Sequence, residues 1–210
     1  AVVTNPNCST IGLVLALVAL TSLGSPPETV TLVIGLPDLP MHLRLDALSR
    51  VFMVLLGSAT TGVSLFASGY FRQGQGTSPG VLGLQYHLFL ASMGFVLLAD
   101  DAYAFMVAWE TMALTSYFLV TAQHGIPEIR SAGFLYLLMA HVGAIAILLS
   151  FGVMQGGTWL FSFDAMRAST LPVPWATAAF LLALFGFGAK AGLLPLHVWL
   201  PEAHPAAPSP

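Results

Sequence analysis

Charged side chains are scarce in this sequence of 210 residues. Only 7% are Asp, Glu, Lys or Arg, against roughly 25% in an ordinary soluble domain. Hydrophobic residues make up 57%, and the mean hydropathy is +0.85. With a formal net charge of −3, the chain lacks the positive surface that nucleic acids and anionic lipid headgroups attract. The composition predicts an integral membrane protein that has the lipid bilayer as its surroundings, and it excludes nucleic acid as a partner.

Cysteine is almost absent, since Cys8 is the only one. A single thiol excludes a disulfide framework, a CxxC redox pair and a cysteine-ligated iron–sulfur cluster. Near the end of the chain His197, Glu202 and His204 lie close together, but their spacing fits no zinc motif. We therefore expect no metal and no cofactor in this chain, so that any redox chemistry in the same assembly is carried elsewhere.

Long apolar runs are the main feature that the sequence does have. A membrane-crossing helix needs about 20 predominantly apolar residues. Six stretches approach that length, the first being the weakest: about 8–24, 46–69, 84–100, 102–122, 131–153 and 174–194. The predicted fold class is an all-α polytopic membrane protein with about six transmembrane helices.

The segments between these runs differ from one another. Residues 26–46 alternate short apolar clusters with Pro, Gly and charge, which predicts a β-hairpin or an extended cap outside the hydrocarbon core. Residues 70–83 form a polar, glycine-rich loop, and Asp100 and Asp101 mark a tight turn that we interpret as solvated. The stretch 154–173 is too short and too polar to span and predicts a short interfacial helix.

We divide the chain into residues 1–45, with the first helix and an extracytoplasmic hairpin, and residues 46–210, with the remaining helices. Ala1 is not an initiator Met and the chain ends in HPAAPSP, so we expect a fragment of a longer protein. Lys and Arg are equally frequent on the two predicted faces, and the positive-inside rule does not orient the chain. We take the 70–83 loop as cytoplasmic.

Two charges lie inside predicted membrane helices. Glu110 is in AFMVAWETMALTSYFLV and Lys190 is in AAFLLALFGFGAKAGLL. A charge at bilayer depth costs roughly 2.5–3.5 kcal/mol by insertion scales, and such residues face the bundle interior and pair with one another. Because burial disfavours each charged form and pairing restores it, we expect Glu110 and Lys190 to meet and to titrate as one unit. The alternative is a static ion pair that only locks two helices together.

Prolines crowd the end of the chain directly after Lys190, in PLHVWLPEAHPAAPSP. Proline in a helix interior removes a hydrogen bond and clashes with the previous turn, so the last helix must break within about a turn of Lys190. Gly186, Gly188 and Gly192 allow neighbouring helices or water to approach it closely. The alternative is a plain surface loop after the membrane exit.

Two histidines are further candidates for proton handling. His141 lies near the middle of the fifth run and has an unperturbed pKa close to neutral, so it is either a proton relay or a neutral histidine bonded across helices. His197 is a candidate carrier of protons to or from Lys190. The tryptophans include predicted interfacial anchors: Trp109, Trp159, Trp175 and Trp199.

Three motifs carry a resemblance to a known family: LADDAYAFMVAWETMALTSYFLV, GFLYLLMAHVGAIAILLSFGVMQGG and FGFGAKAGLLPLHVWLPEAHPAAPSP. The chain resembles the antiporter-like proton-translocating subunits of respiratory complex I, Mrp antiporters and membrane-bound hydrogenases. Within them it is most similar to the hydrogenase-4 component B and formate hydrogenlyase subunit 3 branch. The resemblance covers most of residues 42–210.

The resemblance implies roles and partners. Glu110 matches the family's glutamate on its fifth helix, and Lys190 matches the lysine on its broken seventh helix. The family's full subunit has two inverted repeats, and this chain resembles helices two to seven, within the first. The implied partners are other membrane subunits and a peripheral hydrogenase or dehydrogenase arm, in the inner (plasma) membrane. The chain itself would be a non-redox subunit of an oxidoreductase complex.

Three functions stay open from the sequence. The first is a proton-translocating subunit of a hydrogenase-4, formate hydrogenlyase or complex I-like redox complex, in which the Glu110–Lys190 pair moves protons. The second is an Mrp-type Na⁺/H⁺ antiporter subunit, and the third is a membrane anchor that conducts nothing. In the first of these three functions, Lys190 carries the proton, and Glu110 acts on Lys190 as an electrostatic modulator.

Overall fold

The computed structural model of the protein describes residues 6–36, 39–70 and 77–207. Its elements in chain order are α1 Pro6–Thr21, β1 Glu28–Leu36, β2 Leu39–Leu45, α2 Ala47–Tyr70, α3 Pro79–Leu98, α4 Ala102–Val120, α5 Pro127–Met154, α6 Phe163–Ala168, α7 Val173–Ala191 and α8 Leu200–Ala206. The middle of the predicted 70–83 loop, residues 71–76, lies outside the described part. The predominantly helical fold class is confirmed.

Five helices in the described part are long and apolar enough to cross a membrane. These spans are Ala47–Ala67, Gly80–Leu98, Ala102–Val120, Pro127–Met154 and Val173–Ala191, and they agree with five of the six predicted runs. The remaining run forms α1, an apolar helix of 16 residues, which is shorter than a typical crossing. Helix α1 packs directly on α2, where a Cβ added to Gly57 would stand 2.6 Å from the carbonyl oxygen of Gly12.

The predicted β-hairpin is confirmed. Strands β1 and β2 pair antiparallel, with Glu28 opposite Leu45 and Leu36 opposite Leu39. The register is irregular between Leu32 and Gly35, where Gly35 has a φ of 142°. This conformation is one that only glycine adopts readily, and it accommodates the irregularity next to the turn.

The hairpin, the turn between α3 and α4, and the segment before α6 meet at one end of the bundle. The N–H of Asp100 donates to the carbonyl of His42 at 2.9 Å, and the N–H of Phe163 donates to the carbonyl of Asp100 at 3.0 Å. The N–H of Ala102 donates to the carbonyl of Phe161 at 2.9 Å. Three segments that alternate with membrane helices therefore share one face, as antiparallel neighbouring spans require.

The interpretation of Asp101 as part of a solvated turn is wrong. Its exposed fraction is 3%, and its carboxylate accepts from the N–H of Ala104 at 2.6 Å, which caps the start of α4. The same carboxylate accepts from the N–H of His42 at 2.5 Å and lies 3.1 Å from Nδ1 of that ring. Asp101 is buried because the first orphan amides of α4 and an amide of β2 both need an acceptor at this point.

Asp100 and α6 complete this end of the bundle. Burial raises the pKa of the Asp100 carboxyl, and the nearby Arg44 guanidinium, 3.9 Å away, opposes the rise. Arg44 also pairs at 3.2 Å with Asp164 on α6. The predicted short helix in residues 154–173 is thus present as six residues, held to the hairpin by an ion pair; its interfacial position stays a prediction.

Helices α5 and α7 pack with their backbones in contact. A Cβ added to Gly186 would lie 2.6 Å from the carbonyl oxygen of Gly143 and 2.5 Å from a side-chain carbon of Ile147. Ser150 on α5 donates to the carbonyl of Ala179 on α7 at 2.9 Å. Small residues at the crossing allow this approach, and the predicted role of Gly186 is confirmed. The contact places the end of α7 against α5.

Candidate functional site

Glu110 lies well inside its helix, whereas Lys190 lies in the last turn of its helix. Glu110 follows the first residue of α4, Ala102, by eight positions, which is about 12 Å at 1.5 Å per residue. Lys190 is the second-last residue of α7, but it contacts Tyr136, which lies nine positions, or roughly 13 Å, into α5. Helix α7 therefore ends while it is still at membrane depth relative to α5.

Glu110 faces a histidine and not a lysine. Its Oε2 lies 3.3 Å from Nε2 of His141 on α5. The other ring nitrogen, Nδ1, lies 2.9 Å from the carbonyl oxygen of Leu137, one turn earlier. A carbonyl oxygen only accepts hydrogen bonds, so Nδ1 carries a proton and donates it. Nε2 then faces a carboxyl oxygen, and the contact is attractive only when one further proton lies on the imidazole or on the carboxyl group.

The Glu110–His141 contact joins α4 to α5 and is an ion pair when the imidazole is protonated. Its side chains are partly exposed at the surface of the described bundle, 34% for Glu110 and 45% for His141. No hydrogen bond joins the two side chains in the described part of the chain, and the imidazole bonds to Leu137 of its own helix. Both interpretations of His141 given by the sequence, a proton relay and a neutral histidine bonded across helices, stay predictions.

Lys190 is held by a phenol. Its Nζ donates to the hydroxyl of Tyr136 at 2.8 Å and lies 5.0 Å from the centroid of the same ring. The ring face is electron-rich and attracts a cation. Tyr136 itself is 4% exposed. The ammonium is thus stabilised by a neutral side chain through both a hydrogen bond and a cation–π contact.

The expectation that Glu110 and Lys190 meet directly is wrong. In the part of the chain that the structure describes, no ion pair joins them: Glu110 pairs with His141 and Lys190 bonds to Tyr136. The physical reason is the position of α5, which packs against both α4 and α7. Tyr136 and His141 are five positions apart, or about 140° around a helix, so each serves a different neighbour.

The predicted break near Lys190 is confirmed. Helix α7 ends at Ala191, and Gly192 adopts a left-handed conformation with a φ of 72°. The N–H of Leu193 donates back to the carbonyl of Gly188 at 2.9 Å, which is the usual way in which such a glycine terminates a helix. The chain then forms α8, whose Ala203 is 3% exposed and packs on the bundle. Pro195, Pro201 and Pro205 are exposed, and the position of this segment relative to the membrane stays a prediction.

Trp199 lies between the break and α8. Its indole Nε1 donates to the carbonyl of Ala189 at 2.8 Å, and its ring meets the ring of Tyr136 edge-on at 5.2 Å. Trp199 is therefore a packing residue of the site and not a free interfacial anchor. By contrast Trp159 and Trp175 are 78% and 59% exposed, as an anchor would be.

His197 occupies the turn between α7 and α8. Its Nδ1 is buried and has no hydrogen-bond partner among the described residues. No hydrogen bond or ion pair in that part of the chain connects it to Lys190. The structure therefore brings together three of the four predicted site residues around α5 and leaves His197 beside them without a direct contact.

Tyr136 is the residue of the site that the sequence interpretation missed. It lies in the apolar run LYLLMAH, and no charge or spacing pattern marks it in the sequence. A signal was present, because a tyrosine at membrane depth needs a hydrogen-bond partner for its hydroxyl. Lys190, at a matching depth on another helix, was the available donor.

Comparison with known proteins shows the family to which this chain belongs. The family described as NADH:quinone oxidoreductase/Mrp antiporter, transmembrane region, matches residues 99–210, more than half of the chain. The chain belongs to this family. It is a multi-pass, antiporter-like membrane subunit, and the resemblance seen in its motifs is confirmed.

Two individual relatives show which members of the family the chain is similar to. Hydrogenase-4 component B of Escherichia coli K12 is 41% identical over 169 residues, covering 80% of this chain and 25% of the relative. Formate hydrogenlyase subunit 3 of the same organism is 27% identical over 169 residues, covering 80% of this chain and 26% of that protein. The chain spans about a quarter of the length of these two curated relatives.

Two solved structures share the fold. One is the membrane-bound sulfane sulfur reductase, an archaeal respiratory membrane complex, with a TM-score of 0.73 and 26% identity over 93% of this chain and 31% of the matched chain. The other is the Mrp complex from Dietzia sp. DQ12-45-1b, with a TM-score of 0.75 and 21% identity over 95% of this chain and 38% of the matched one.

Proposed function

We propose that this chain forms part of the proton-translocating region of a redox-driven membrane complex of the hydrogenase-4 or formate hydrogenlyase type. The observation that carries the proposal is the placement of Glu110 and Lys190 in membrane helices, with Glu110 3.3 Å from His141 and Lys190 hydrogen-bonded to Tyr136, both on α5. Intramembrane ionisable residues mark proton and ion pathways by default. The relatives supply the type of complex.

The proton steps follow from the two contacts. Glu110 and His141 share one proton, and a change in the charge near them decides which of the two holds it. When the ammonium of Lys190 leaves Tyr136 and approaches Glu110, its positive charge favours the carboxylate and drives the shared proton off the couple. When it returns, the couple takes up a proton again. Lys190 is the carrier because, after its return to Tyr136, it releases its own proton to the next relay group and regains one before it approaches Glu110 again. Glu110 acts as its electrostatic modulator.

The break in α7 makes this movement possible. Irregular backbone at membrane depth occurs where protein buries it or water lines it, and transporters use broken helices at their ion sites. Lys190 sits one residue before the end of α7, on a segment that is not held by a continuing helix. His197, beside the break, is the group through which a proton reaches or leaves Lys190.

The surroundings of the site indicate partners. Glu110 and His141 are partly exposed on the described bundle, and a charged pair facing hydrocarbon is costly. We therefore assign the remainder of a longer subunit, or an adjacent membrane subunit, to this surface. The complex would lie in the plasma membrane, and its peripheral hydrogenase or dehydrogenase arm would carry the electron transfer that drives transport.

The experiment uses the full-length protein in its native complex, in membrane vesicles with a pH-sensitive dye. Lys190→Ala should lower coupled proton movement at least about tenfold, since it removes the charge that drives the cycle; a factor of ten corresponds to about 1.4 kcal/mol. Arg130→Ala is the matched control, because this cation lies at the start of α5 and bonds only to nearby carbonyls. An unchanged rate in the Lys190 variant would identify a membrane anchor.

Sodium–proton exchange is the second candidate, and the family match together with the Mrp fold neighbour favours it. It has the same Glu110 and Lys190 requirement, so the substitutions do not separate it from a redox-driven pump. Two measurements do: transport that depends on external sodium, and copurification with antiporter subunits in place of hydrogenase subunits. Both outcomes together would replace the redox proposal.

A further inference from the structure

We propose that Tyr136 and Trp199, here called the lysine clamp, position the Lys190 ammonium away from Glu110, and that Trp199 couples this position to that of α8. The inference rests on the proposed function, because it specifies how the charge of Lys190 is held during proton transfer. Tyr136 is the group that touches the amine. Trp199 acts through Tyr136 and is a positioning residue.

The contacts of the clamp form a closed ring. Lys190 donates to the Tyr136 hydroxyl at 2.8 Å, Tyr136 meets Trp199 edge-on at 5.2 Å, and Trp199 donates at 2.8 Å to the carbonyl of Ala189. Ala189 is the residue before Lys190 in the chain. A displacement of Trp199 therefore changes both the ring that holds the ammonium and the backbone from which the lysine extends.

The hydrogen bond from Trp199 exists because α7 is broken. In a continuous helix the carbonyl of Ala189 would accept from the N–H four residues on, that of Leu193. Leu193 donates instead to Gly188 at 2.9 Å, and the remaining helical donor, the N–H of Gly192, reaches the Ala189 oxygen only at 3.4 Å. The indole thus satisfies a carbonyl that the break has freed.

Helix α8 links the clamp to the acid. Its buried residue Ala203 packs in one cluster with Ala113, Tyr136 and Ala140. Ala113 lies three positions after Glu110, one turn along the same helix. The short helix that begins directly after Trp199 therefore rests both on the tyrosine of the clamp and on the turn of α4 that carries the carboxylate. A shift of α8 moves the clamp relative to Glu110.

The clamp stabilises the protonated amine at Tyr136, where it is not paired with the acid. Release requires the loss of one charge-assisted hydrogen bond and one cation–π contact, and reseating restores both. Other titratable or charged groups lie on the elements packed around Lys190: Tyr103, Glu110 and Tyr117 on α4, Glu128, Arg130 and His141 on α5, and His197, Glu202 and His204 from the break through α8. None of these groups bonds to Nζ of Lys190 in the described part of the chain. Tyr136 is therefore the residue to substitute.

The test measures coupled proton movement against pH in the intact complex. Tyr136→Phe deletes a single oxygen and leaves the ring against Trp199. The ammonium loses its acceptor, and the alkaline half-point of the pH profile should move to lower pH by roughly one unit, the size expected for a hydrogen bond to a charged group. Trp199→Phe, which removes the indole N–H, should move the half-point in the same direction by a smaller amount.

Matched controls are available in the same bundle. Tyr117→Phe removes a hydroxyl from a ring that packs on the same cluster and makes no hydrogen bond among the described residues. Trp175→Phe removes an exposed indole from the start of α7. Both should keep the parental profile.

Three results would overturn the clamp. One is a Tyr136 variant whose rate falls equally at every pH, and another is a Tyr136 variant that no longer assembles, because each shows a purely structural hydroxyl. The third is a pair of clamp variants that behave like their controls while Lys190→Ala still abolishes transport. If Lys190→Ala itself leaves transport intact, the proposed function fails instead, so the two failures are distinguishable.

Discussion

Tyr136 and His141 lie five residues apart on α5 and contact charged side chains of two different helices: Tyr136 accepts a hydrogen bond from Lys190 on α7, and His141 lies 3.3 Å from Glu110 on α4. Helix α5 thus supplies separate partners to an acid and a base that the sequence alone would pair. In the proposed cycle this separation allows the lysine to move. Several measurable consequences depend on this arrangement.

His141→Gln should lower coupled proton movement roughly tenfold, or by about 1.4 kcal/mol, because in the proposed cycle the imidazole 3.3 Å from Glu110 takes up a proton and glutamine cannot. The rate of proton uptake into vesicles measures the effect. His204→Gln is the control, since His204 is exposed on α8. A His141 variant with the parental rate would show that the contact with Glu110 is structural.

Asp101→Ala should destabilise the protein by about 2–4 kcal/mol. The substitution removes the cap of α4, worth about 1 kcal/mol, and leaves the N–H of His42 without its acceptor, which costs about 1–3 kcal/mol. The midpoint of thermal unfolding in detergent reports the loss. Asp164→Ala, which removes a 68% exposed carboxylate, should change stability by under about 1 kcal/mol. Equal effects for the two variants would contradict the structural role of Asp101.

Gly186→Ala should destabilise the contact between α5 and α7 by about 1–3 kcal/mol, the usual cost of inserting a methyl group into a packed interface. The new Cβ would lie 2.6 Å from the carbonyl oxygen of Gly143, and backbone cannot move aside cheaply. Gly152→Ala is the matched control on α5, because a Cβ added to Gly152 would have no neighbour within 4 Å. Thermal unfolding should rank the parent and the Gly152 variant together, above the Gly186 variant.

Asp100→Asn should stabilise the protein at neutral pH. Burial raises the pKa of the Asp100 carboxyl above its ordinary value, so in the window between the two values the folded state binds more protons than the unfolded state. Stability therefore falls as pH rises through that window. Asparagine removes this dependence. Unfolding midpoints of the two proteins should converge as pH falls below the ordinary pKa of an aspartate, and a constant difference across pH would contradict the assignment.

The pattern of apolar runs predicted most of the fold because membrane-crossing helices are defined by length and hydropathy, which are local properties. It was least informative for α1, which is apolar but 16 residues long. The tight turn at Asp100 and Asp101 was located correctly, but its burial was not foreseen. Burial there results from β2 and the segment before α6 closing over it. Those contacts join His42 to Asp100 and Asp101, and Phe161 to Ala102, from distant parts of the chain.

The candidate site also has some features that the sequence shows and others that only the structure shows. Glu110, Lys190 and the break after Lys190 were visible in the sequence, because a charge in an apolar run and a proline cluster stand out locally. Tyr136 and Trp199 were not, since their importance arises from which neighbour each meets. The division into residues 1–45 and 46–210, and the role of His197, stay predictions.

By itself the sequence determined that this chain crosses a membrane several times, carries an acid and a base at depth, and breaks its last long helix beside the base. Composition and periodicity suffice for those conclusions, because the cost of placing a charge or a proline in a membrane helix does not depend on distant residues. Only the tertiary structure decided which partner each charge has. Helix α5 contacts both α4 and α7, and the angle between positions 136 and 141 around that helix directs one to the lysine and the other to the glutamate.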